Sequence, residues 1–373
     1  MVRGHGEGSV YQRKDGRWVA EITLEDHSRK QFYARTKKEA IELRRVAIND
    51  LKKGTLPIGP DQTLEAFLNH WVENVYKPSV RPATYVQFRY VINKHLIPAF
   101  GRIILRKLTP EQIEKFYAKK LVEGLAPRTI NIIHSALRKS LDHAVIRNLV
   151  SRNVAKLVTP PRVVRHEIQP LTEEQARHLI EVARGHRLEA MIMVAVVTGM
   201  RRGELMALRW SDVDLTRGFI QVKRSVGRLG GYGHVENEPK TKSSRRSIML
   251  PDVIVNVLRE HKVKQNEIRV VAGDKWHEQG LVFPNILGGF LEGSNIFVWL
   301  RALAKDADLP PMRFHDLRHS AATILLVKGV HPKVVQELLG HSKIATTMDV
   351  YSHVMPSMQR DAMDKMNDVF KEQ

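Results

Sequence analysis

The sequence predicts a mainly α-helical chain with small β parts, organised as three folded units. Its 373 residues suffice for two or three domains. Helix-start signals and 3.6-residue apolar spacing recur from residue 36 onwards, whereas strand-like alternation is confined to short segments. Hydrophobic residues make up 43% and charged residues 27% of the chain, which is enough for ordinary buried cores.

The first unit, residues 1–56, is predicted to be a three-stranded sheet followed by a helix. The expected elements are strands over residues 10–13, 18–24 and 29–34 and a helix over residues 36–52. Asp15-Gly16 is typical of a hairpin turn, and residues 18–24 alternate between apolar and polar side chains. Thr36 and Glu39 form a capping box that opens the helix. Residues 56–60, with two prolines, are read as a linker.

The second unit, residues 62–150, is predicted to be a bundle of four helices. Thr63, Pro82, Thr109 and Pro127 each mark a helix start, and apolar residues follow each at helical spacing. Residues 151–170 are basic and contain Pro160-Pro161, which indicates an extended linker.

The charge of the chain indicates a polyanionic partner, most simply nucleic acid. Lys and Arg number 60 against 40 Asp and Glu, for a net charge of +20 and a pI near 10.1. Residues 61–165 carry 18 basic and 7 acidic residues and hold more than half of this surplus. We expect this segment to make most of the phosphate contacts.

The composition also excludes several classes of protein. The absence of cysteine excludes disulfides, cysteine-ligated metals and thiol catalysis. The longest apolar run, residues 190–197, has eight residues, so it predicts a buried core helix and no membrane span. Residues 1–12 lack an apolar signal region, and we expect a cytoplasmic, DNA-associated prokaryotic protein.

The third unit, residues 171–373, carries the residues that predict chemistry. The informative strings are TGMRRGEL (198–205), PKTKSSRRSIML (239–250), RFHDLRHSAAT (313–323) and LGHSKIATTMDVYSHV (339–354). They supply arginines, a lysine, histidines and a tyrosine, without a carboxylate cluster of the kind that holds two metal ions. This set predicts phosphoryl transfer without metal or other cofactor, in which arginines neutralise the developing charge.

These four strings, in this order, resemble the tyrosine recombinases of the phage integrase family. The resemblance is strongest over residues 171–354 and implies a mixed α+β tyrosine-recombinase catalytic domain. More loosely, it extends to a core-binding bundle and an arm-type DNA-binding domain at residues 1–56. It implies a site-specific DNA recombinase of a mobile element that acts through a 3′-phosphotyrosyl intermediate, without metal or ATP.

The resemblance assigns a role to each matching residue. Arg201, selected over Arg202 by the pattern Thr-Gly-apolar-Arg, and Arg318 match the two arginines, and Glu204 matches the acid that holds the first. His315 matches the first histidine, a proton-transfer group or phosphate donor. His341 matches the second histidine position and Tyr351 the nucleophile.

The lysine that protonates the leaving group lies in a β-hairpin in this family. Lys240 and Lys242 both fit that position, and we favour Lys240. Arg202, Lys242, Arg245 and Arg313 are expected to contact phosphates.

The remaining histidines and tyrosines near these strings receive no catalytic role. His319 and His353 flank the matched positions and are expected to support the site or the core. Tyr33 and Tyr232 lie in no matching frame and are read as loop or core residues.

The partners implied are double-stranded DNA at core and arm-type sites, with four protomers on paired sites and no membrane. The resemblance also allows an accessory DNA-bending protein. Two alternatives remain. A type IB topoisomerase would share the chemistry, although the N-terminal β unit favours recombination. A non-catalytic DNA-binding regulator would not need Tyr351.

The C-terminal residues 356–373 are predicted to form a helix with one apolar stripe. The apolar positions are Met358, Ala362, Met363, Met366, Val369 and Phe370. The helix packs on its own domain or docks on a neighbouring protomer, and the family resemblance favours docking.

Overall fold

The computed structural model describes residues 8–24, 27–53, 56, 57, 59, 61–164, 169–237, 245–351, 363 and 367. The side chains of residues 346 and 349–351 are not among the described atoms. The chain divides into two compact units, residues 1–165 and residues 166–373, and each is treated by itself.

The first unit begins with a three-stranded antiparallel sheet and one helix, as predicted. Its elements are β1 (Ser9–Gln12), β2 (Trp18–Thr23), β3 (Arg29–Ala34) and α1 (Lys37–Lys52). The strand order is β1-β2-β3, and the Thr36/Glu39 capping box opens α1. A small apolar cluster of Ile22, Leu24, Ala47 and Leu56 stabilises it. Leu56, read from the sequence as linker, is therefore part of this core.

The bundle that follows contains the predicted helices, some of them interrupted by wider π-helical turns. The elements are α2 (Leu64–His70), a π-helical stretch (Trp71–Tyr76), α3 (Lys77–Ser79), α4 (Pro82–Val91), a second π-helical stretch (Ile92–Leu96), α5 (Ile97–Phe100), α6 (Pro110–Val122) and α7 (Pro127–Ile146). Pro78 and Pro98 lie just beyond the two π-helical stretches. Proline lacks the N–H of a regular helical bond and crowds the preceding turn, so the widened turns keep the chain helical.

The first part of the expected linker at residues 151–170 is packed against this bundle. Residues Val154–Leu157 form a short 3₁₀ turn, and Ala155 and Val158 are buried with the bundle's apolar residues. Asn153 donates to the carbonyl oxygen of Arg138 on α7 at 2.8 Å. We keep the domain boundaries predicted from the sequence, 1–56, 62–150, 151–170 and 171–373, as a proposal.

The second unit combines helices with two small antiparallel sheets. Its helices are α8 (Glu173–Val182), α9 (Glu189–Thr198), α10 (Arg202–Met206), α11 (Asp252–Ala272), α12 (Gly293–Asp306), α13 (Phe314–Val327), α14 (Pro332–Leu339) and α15 (Ile344–Tyr351). Its strands are β4 (Val213–Asp214), β5 (Phe219–Val222), β6 (Ser225–Leu229), β7 (Gly233–Asn237) and β8 (Arg246–Met249). One sheet has the order β4-β5-β8, and β6 pairs with β7.

Helix α9 lies at the centre of this unit. It contains the apolar run at residues 190–197, and the prediction of a buried core helix is confirmed because most of its side chains are buried. The Gly-rich stretch at residues 227–233 supplies much of the β6–β7 hairpin. None of the helices in the described ranges combines the length and apolar character that a membrane crossing needs.

Candidate active site

Arg201 stands at the start of α10, two residues after the end of α9. Helix α9 ends at Gly199, whose φ of +61° reverses the chain and allows the next helix to begin at once. The Arg201 guanidinium donates through Nη1 to Oε1 of Glu204 at 2.7 Å and through Nη2 to the carbonyl oxygen of Gly340 at 3.1 Å. Its side chain is 36% exposed, so the fixed guanidinium is open to a ligand.

Glu204 is a buried carboxylate between two arginines. One oxygen accepts the backbone N–H of Arg201 at 2.9 Å, and the same oxygen accepts Nη2 of Arg246 at 2.9 Å. Burial raises the pKa of the Glu204 carboxyl, but the hydrogen bonds and charges of Arg246 and Arg201 outweigh it and hold that pKa below its usual value. The sequence-derived role of Glu204, to hold Arg201 in place, agrees with these contacts.

Arg318 lies in the second turn of α13 and is 2% exposed. Its Nη1 donates to the carbonyl oxygen of Gly199 at 2.8 Å, whereas its buried Nη2 has no hydrogen-bond partner among the described residues. Burial, together with the charges of Arg201 and Arg246, lowers the pKa of Arg318 to about 9. A buried donor without an acceptor costs roughly 1–3 kcal/mol, and an anionic oxygen would relieve that cost.

His315 begins α13 on the same face as Arg318 and His319. The rings of His315 and His319 meet edge to face, with centroids 5.1 Å apart. His315 is exposed at the surface, but partial burial of its ring, with the neighbouring His319, Arg318 and Arg201, lowers its pKa to about 4. The imidazole is therefore neutral at pH 7 and can accept a proton.

His341 follows the left-handed cap of α14 at Gly340, where φ is +68°. Its backbone N–H donates to the carbonyl oxygen of Gln336 at 3.1 Å, and its Nδ1 is hydrogen-bonded to Oγ1 of the buried Thr347 at 2.9 Å. Burial and the charges of Arg318 and Arg201 lower the pKa of His341 to about 3. With Nδ1 occupied, its Nε2 is the ring nitrogen left for a ligand.

The fold thus brings the predicted arginines and histidines of the third unit together, and we call this set the arginine–histidine centre. Its members are Arg201, Arg318, His315 and His341. Two fixed guanidinium groups beside two neutral imidazoles can bind a phosphate and exchange a proton with it. Within the described ranges, no group of three His, Asp or Glu side chains is arranged to hold a metal ion.

Several predicted site residues lie outside the described residues. Lys240, Lys242 and His353 belong to this group, and so does the side chain of Tyr351. The backbone of Tyr351 ends α15, the helix that begins three residues after His341.

The expected phosphate contacts Arg202, Arg245 and Arg313 are all exposed. Arg202 donates to the carbonyl oxygen of Gly293 at 3.3 Å, and Arg313 pairs with Asp316 at 2.9 Å. These two side chains are on the surface but already engaged with the protein.

The sequence predicted that Tyr33 and Tyr232 are loop or core residues, and the structure confirms this for Tyr232 only. Tyr232 lies in the β6–β7 turn and is 58% exposed, as a loop residue should be. Tyr33 is neither loop nor core, because it lies on the open face of β3 and is 47% exposed.

Arg246 is the residue of this site that sequence reasoning missed. Its side chain is 6% exposed and donates through Nε to the carbonyl oxygen of Leu338 at 2.6 Å, in addition to its bonds to Glu204. Strand alternation could have revealed its burial, although not its partners. Arg246 and Ile248 share one face of β8, and Ile248 is buried.

The chain is similar to proteins of one family over nearly its whole length. The profile described as the phage integrase family matches residues 169–358, and that of the phage integrase N-terminal SAM-like domain matches residues 63–121. A XerC-like tyrosine recombinase of Caldanaerobacter subterraneus subsp. tengcongensis is 32% identical over 364 residues, 92% of each chain.

Two solved structures show the same fold. The Tn1549 transposon integrase in complex with transposon right end DNA aligns with a TM-score of 0.68 at 20% identity, covering 82% of this chain and all of that one. A lambda integrase tetramer bound to a Holliday junction aligns with a TM-score of 0.58 at 18% identity, covering 93% and 96% of the two chains.

Proposed function

Because this chain belongs to the phage integrase family of tyrosine recombinases, we propose that it recombines DNA at specific sites through Tyr351 and the arginine–histidine centre. The chain is a site-specific recombinase that cleaves and rejoins DNA. One observation supports our assignment of the centre. Arg201 is hydrogen-bonded to Gly340 and Arg318 to Gly199, and both arginines lie beside two neutral histidines.

In the first step, the Tyr351 hydroxyl oxygen attacks the scissile phosphorus and the bond to O5′ breaks. Neutral His315 accepts the tyrosine proton, and Lys240 donates a proton to the departing O5′. The products are a 3′-phosphotyrosyl link and a free 5′-hydroxyl, so the phosphodiester energy stays in a covalent bond. In the second step, the 5′-hydroxyl of a partner strand attacks this link, Lys240 takes the proton of that hydroxyl, and His315 returns a proton to the departing Tyr351 oxygen.

Arg201 and Arg318 stabilise the charge on the non-bridging oxygens during both steps. Each guanidinium is held by the backbone, Arg201 at Gly340 and Arg318 at Gly199, so little reorganisation is needed when charge develops. For His341 we assign the ring proton to Nε2, with Nδ1 accepting from the Thr347 hydroxyl, so that Nε2–H donates a hydrogen bond to a phosphate oxygen.

The DNA partner is consistent with the charge distribution and the exposed sheet. We assign core-site binding to the basic bundle and arm-site binding to residues 1–56. On the open face of that sheet, Gln31 donates to the Tyr11 hydroxyl at 3.1 Å, and Tyr33 donates to Gln31 at 3.0 Å. Such a pre-ordered polar face suits the edges of bases in a major groove. We place the reaction in the cytoplasm.

Strand exchange between two duplexes requires four cleavages, so we propose an assembly of four protomers on two sites. The solved lambda integrase tetramer on a Holliday junction supports this arrangement as a comparison.

A trapping experiment tests the assignment. The core duplex is the highest-affinity DNA selected from a random-sequence library. It carries a nick a few nucleotides 3′ of the scissile phosphate. The short 5′-hydroxyl strand that cleavage releases then diffuses away and cannot reverse the reaction. In EDTA, the wild-type chain should accumulate a covalent adduct that peptide mapping places on Tyr351. Tyr351→Phe should bind the duplex equally and give no adduct. An adduct in that variant contradicts the assignment, and an adduct without strand exchange between intact duplexes indicates a topoisomerase.

A further inference from the structure

Arg246 is a buried cation that the mechanism above does not use. Its side chain is 6% exposed, and that of Glu204 is 5% exposed, so neither is open to DNA. Arg246 therefore cannot act as a direct phosphate ligand in this conformation. It contacts two groups that hold the arginine–histidine centre, namely Glu204 and the last turn of α14.

The first contact controls charge. Glu204 pairs with Arg201 at 2.7 Å and with Arg246 at 2.9 Å. If Glu204 had Arg201 alone as a partner, the carboxylate would cancel the charge that a phosphate needs. With Arg246 present, the two guanidinium groups and one carboxylate keep a net charge of +1.

The second contact controls position. Nε of Arg246 donates to the carbonyl oxygen of Leu338 in the last turn of α14, two residues before Gly340. Gly340 in turn accepts Nη2 of Arg201 and precedes His341. Arg246 thus joins strand β8 to the chain segment that presents the second histidine.

From these contacts we propose that Arg246 is a positioning residue of the recombinase, which leaves the Arg201 charge available to the scissile phosphate and fixes the His341 turn. The inference rests on the proposed function of the arginine–histidine centre. It assigns Arg246 no contact with DNA.

The main test compares Arg246→Met with the wild type on the nicked core duplex at saturating protein. We expect normal binding and cleavage slowed about 10- to 100-fold, by analogy with side chains that orient metal ligands. Arg246→Lys keeps the charge but not the full set of hydrogen bonds, so it should recover part of the rate. It also replaces Arg246→Met as the test if that variant does not fold, which circular dichroism shows.

Two further readouts separate positioning from a merely structural role. A methylphosphonate at the scissile position carries no charge, so it needs the Arg201 charge less and should be cleaved by Arg246→Met with a smaller loss. The double variant Glu204→Gln/Arg246→Met removes the carboxylate that would cancel Arg201, and it should cleave faster than Arg246→Met alone. A structural defect would lower all these rates alike.

Arg224→Met is the matched control. Arg224 pairs with the buried Asp212 at 2.6 Å in the same unit, without a contact to Glu204 or Arg201 in the described structure. It should lose stability and keep the phosphodiester-to-methylphosphonate ratio of the wild type.

The proposal is overturned if Arg246→Met cleaves at the wild-type rate. It is equally overturned if its loss is the same on both substrates and the double variant is no faster. Failure of the wild type to form a Tyr351 adduct refutes the proposed site itself, so the two failures are distinguishable.

Discussion

Nη1 of Arg318 donates to the carbonyl oxygen of Gly199 at 2.8 Å, so the second arginine of the site is attached to the turn that carries the first. Gly199 ends α9 and Arg201 begins α10. Both arginines therefore depend on the conformation of the turn at Gly199, and changes at that glycine should affect both of them.

Gly199→Ala should destabilise the fold and slow cleavage. At a φ of +61° an alanine is strained, and its Cβ would overlap Cδ2 of Leu339. The left-handed conformation costs roughly 1–2 kcal/mol, and overpacking adds about 1–3 kcal/mol. Gly185→Ala has the same strain, with φ at +73° and no atom within 4 Å of the added Cβ. Urea unfolding should show a larger loss for Gly199→Ala, and equal losses would contradict the packing argument.

Lys240→Ala should slow cleavage far more than binding, whereas Lys242→Ala should mainly weaken binding. Lys240 supplies the proton for O5′, so a duplex with sulfur in place of O5′ should restore the rate, because a thiolate leaves without protonation. Single-turnover cleavage of the oxygen and sulfur duplexes measures this. Rescue of Lys242→Ala alone would reverse the assignment.

The stability of the DNA-free protein should fall as the pH drops from about 6.5 towards 4. The folded pKa values of His315 and His341, about 4 and about 3, lie below the unfolded value of 6.5. In that window the unfolded chain binds more protons than the folded one, so stability rises with pH and is lost on acidification.

Thermal unfolding between pH 4 and 7 measures this slope. Other buried histidines contribute to it, so the informative quantity is the difference between variants. His341→Gln should flatten the slope, because the pKa of His341 is held far below its unfolded value. An unchanged slope in His341→Gln would show that His341 is not held neutral.

Deletion of residues 1–56 should remove binding to a second, arm-type DNA sequence and leave cleavage of the core duplex intact. The deletion removes the entire apolar cluster of the N-terminal sheet and helix, which consists of Ile22, Leu24, Ala47 and Leu56. The apolar core of the helical bundle keeps all its residues. Tyr33→Ala, on the open sheet face, should reproduce the loss of arm binding in a folded chain. Gel-shift and trapping assays report both effects, and loss of core cleavage would instead make the sheet part of the catalytic assembly.

Truncation after Met355 should preserve binding to one site but prevent assembly of four protomers and strand exchange. Apart from Met363 and Asn367, residues 356–373 lie outside the described residues, so the predicted apolar stripe carries this expectation. Sedimentation with paired core duplexes measures assembly. Full-length Met366→Ser/Phe370→Ser should fail likewise, with Asp364→Ser/Asp368→Ser, on the opposite face of the predicted helix, as the control. Normal assembly by the truncated chain would indicate a helix without a role between protomers.

Local signals in the sequence predicted helix starts well. Thr36, Thr63 and Thr109 each cap a helix through a hydrogen bond to a residue three positions later, so the local sequence contains both partners. The arginine–histidine centre was predicted because its strings resemble a family. Arg246 was not, since its partners Glu204 and Leu338 are 42 and 92 residues away and only the folded chain brings them together. The packing of Ala155 and Val158 depends on tertiary contacts in the same way.

The crowding of Arg201, Arg246 and Arg318 has a consequence for how this protein tolerates change. Burial, together with the like charges of Arg201 and Arg246, lowers the pKa of Arg318 to about 9, so keeping this arginine charged opposes folding while no anion is bound. An apolar side chain at this buried position would relieve that repulsion and remove the phosphate ligand at once. Stability and activity therefore conflict at this position of the second unit. Selection for thermal stability alone would favour substitutions of Arg318 that abolish activity.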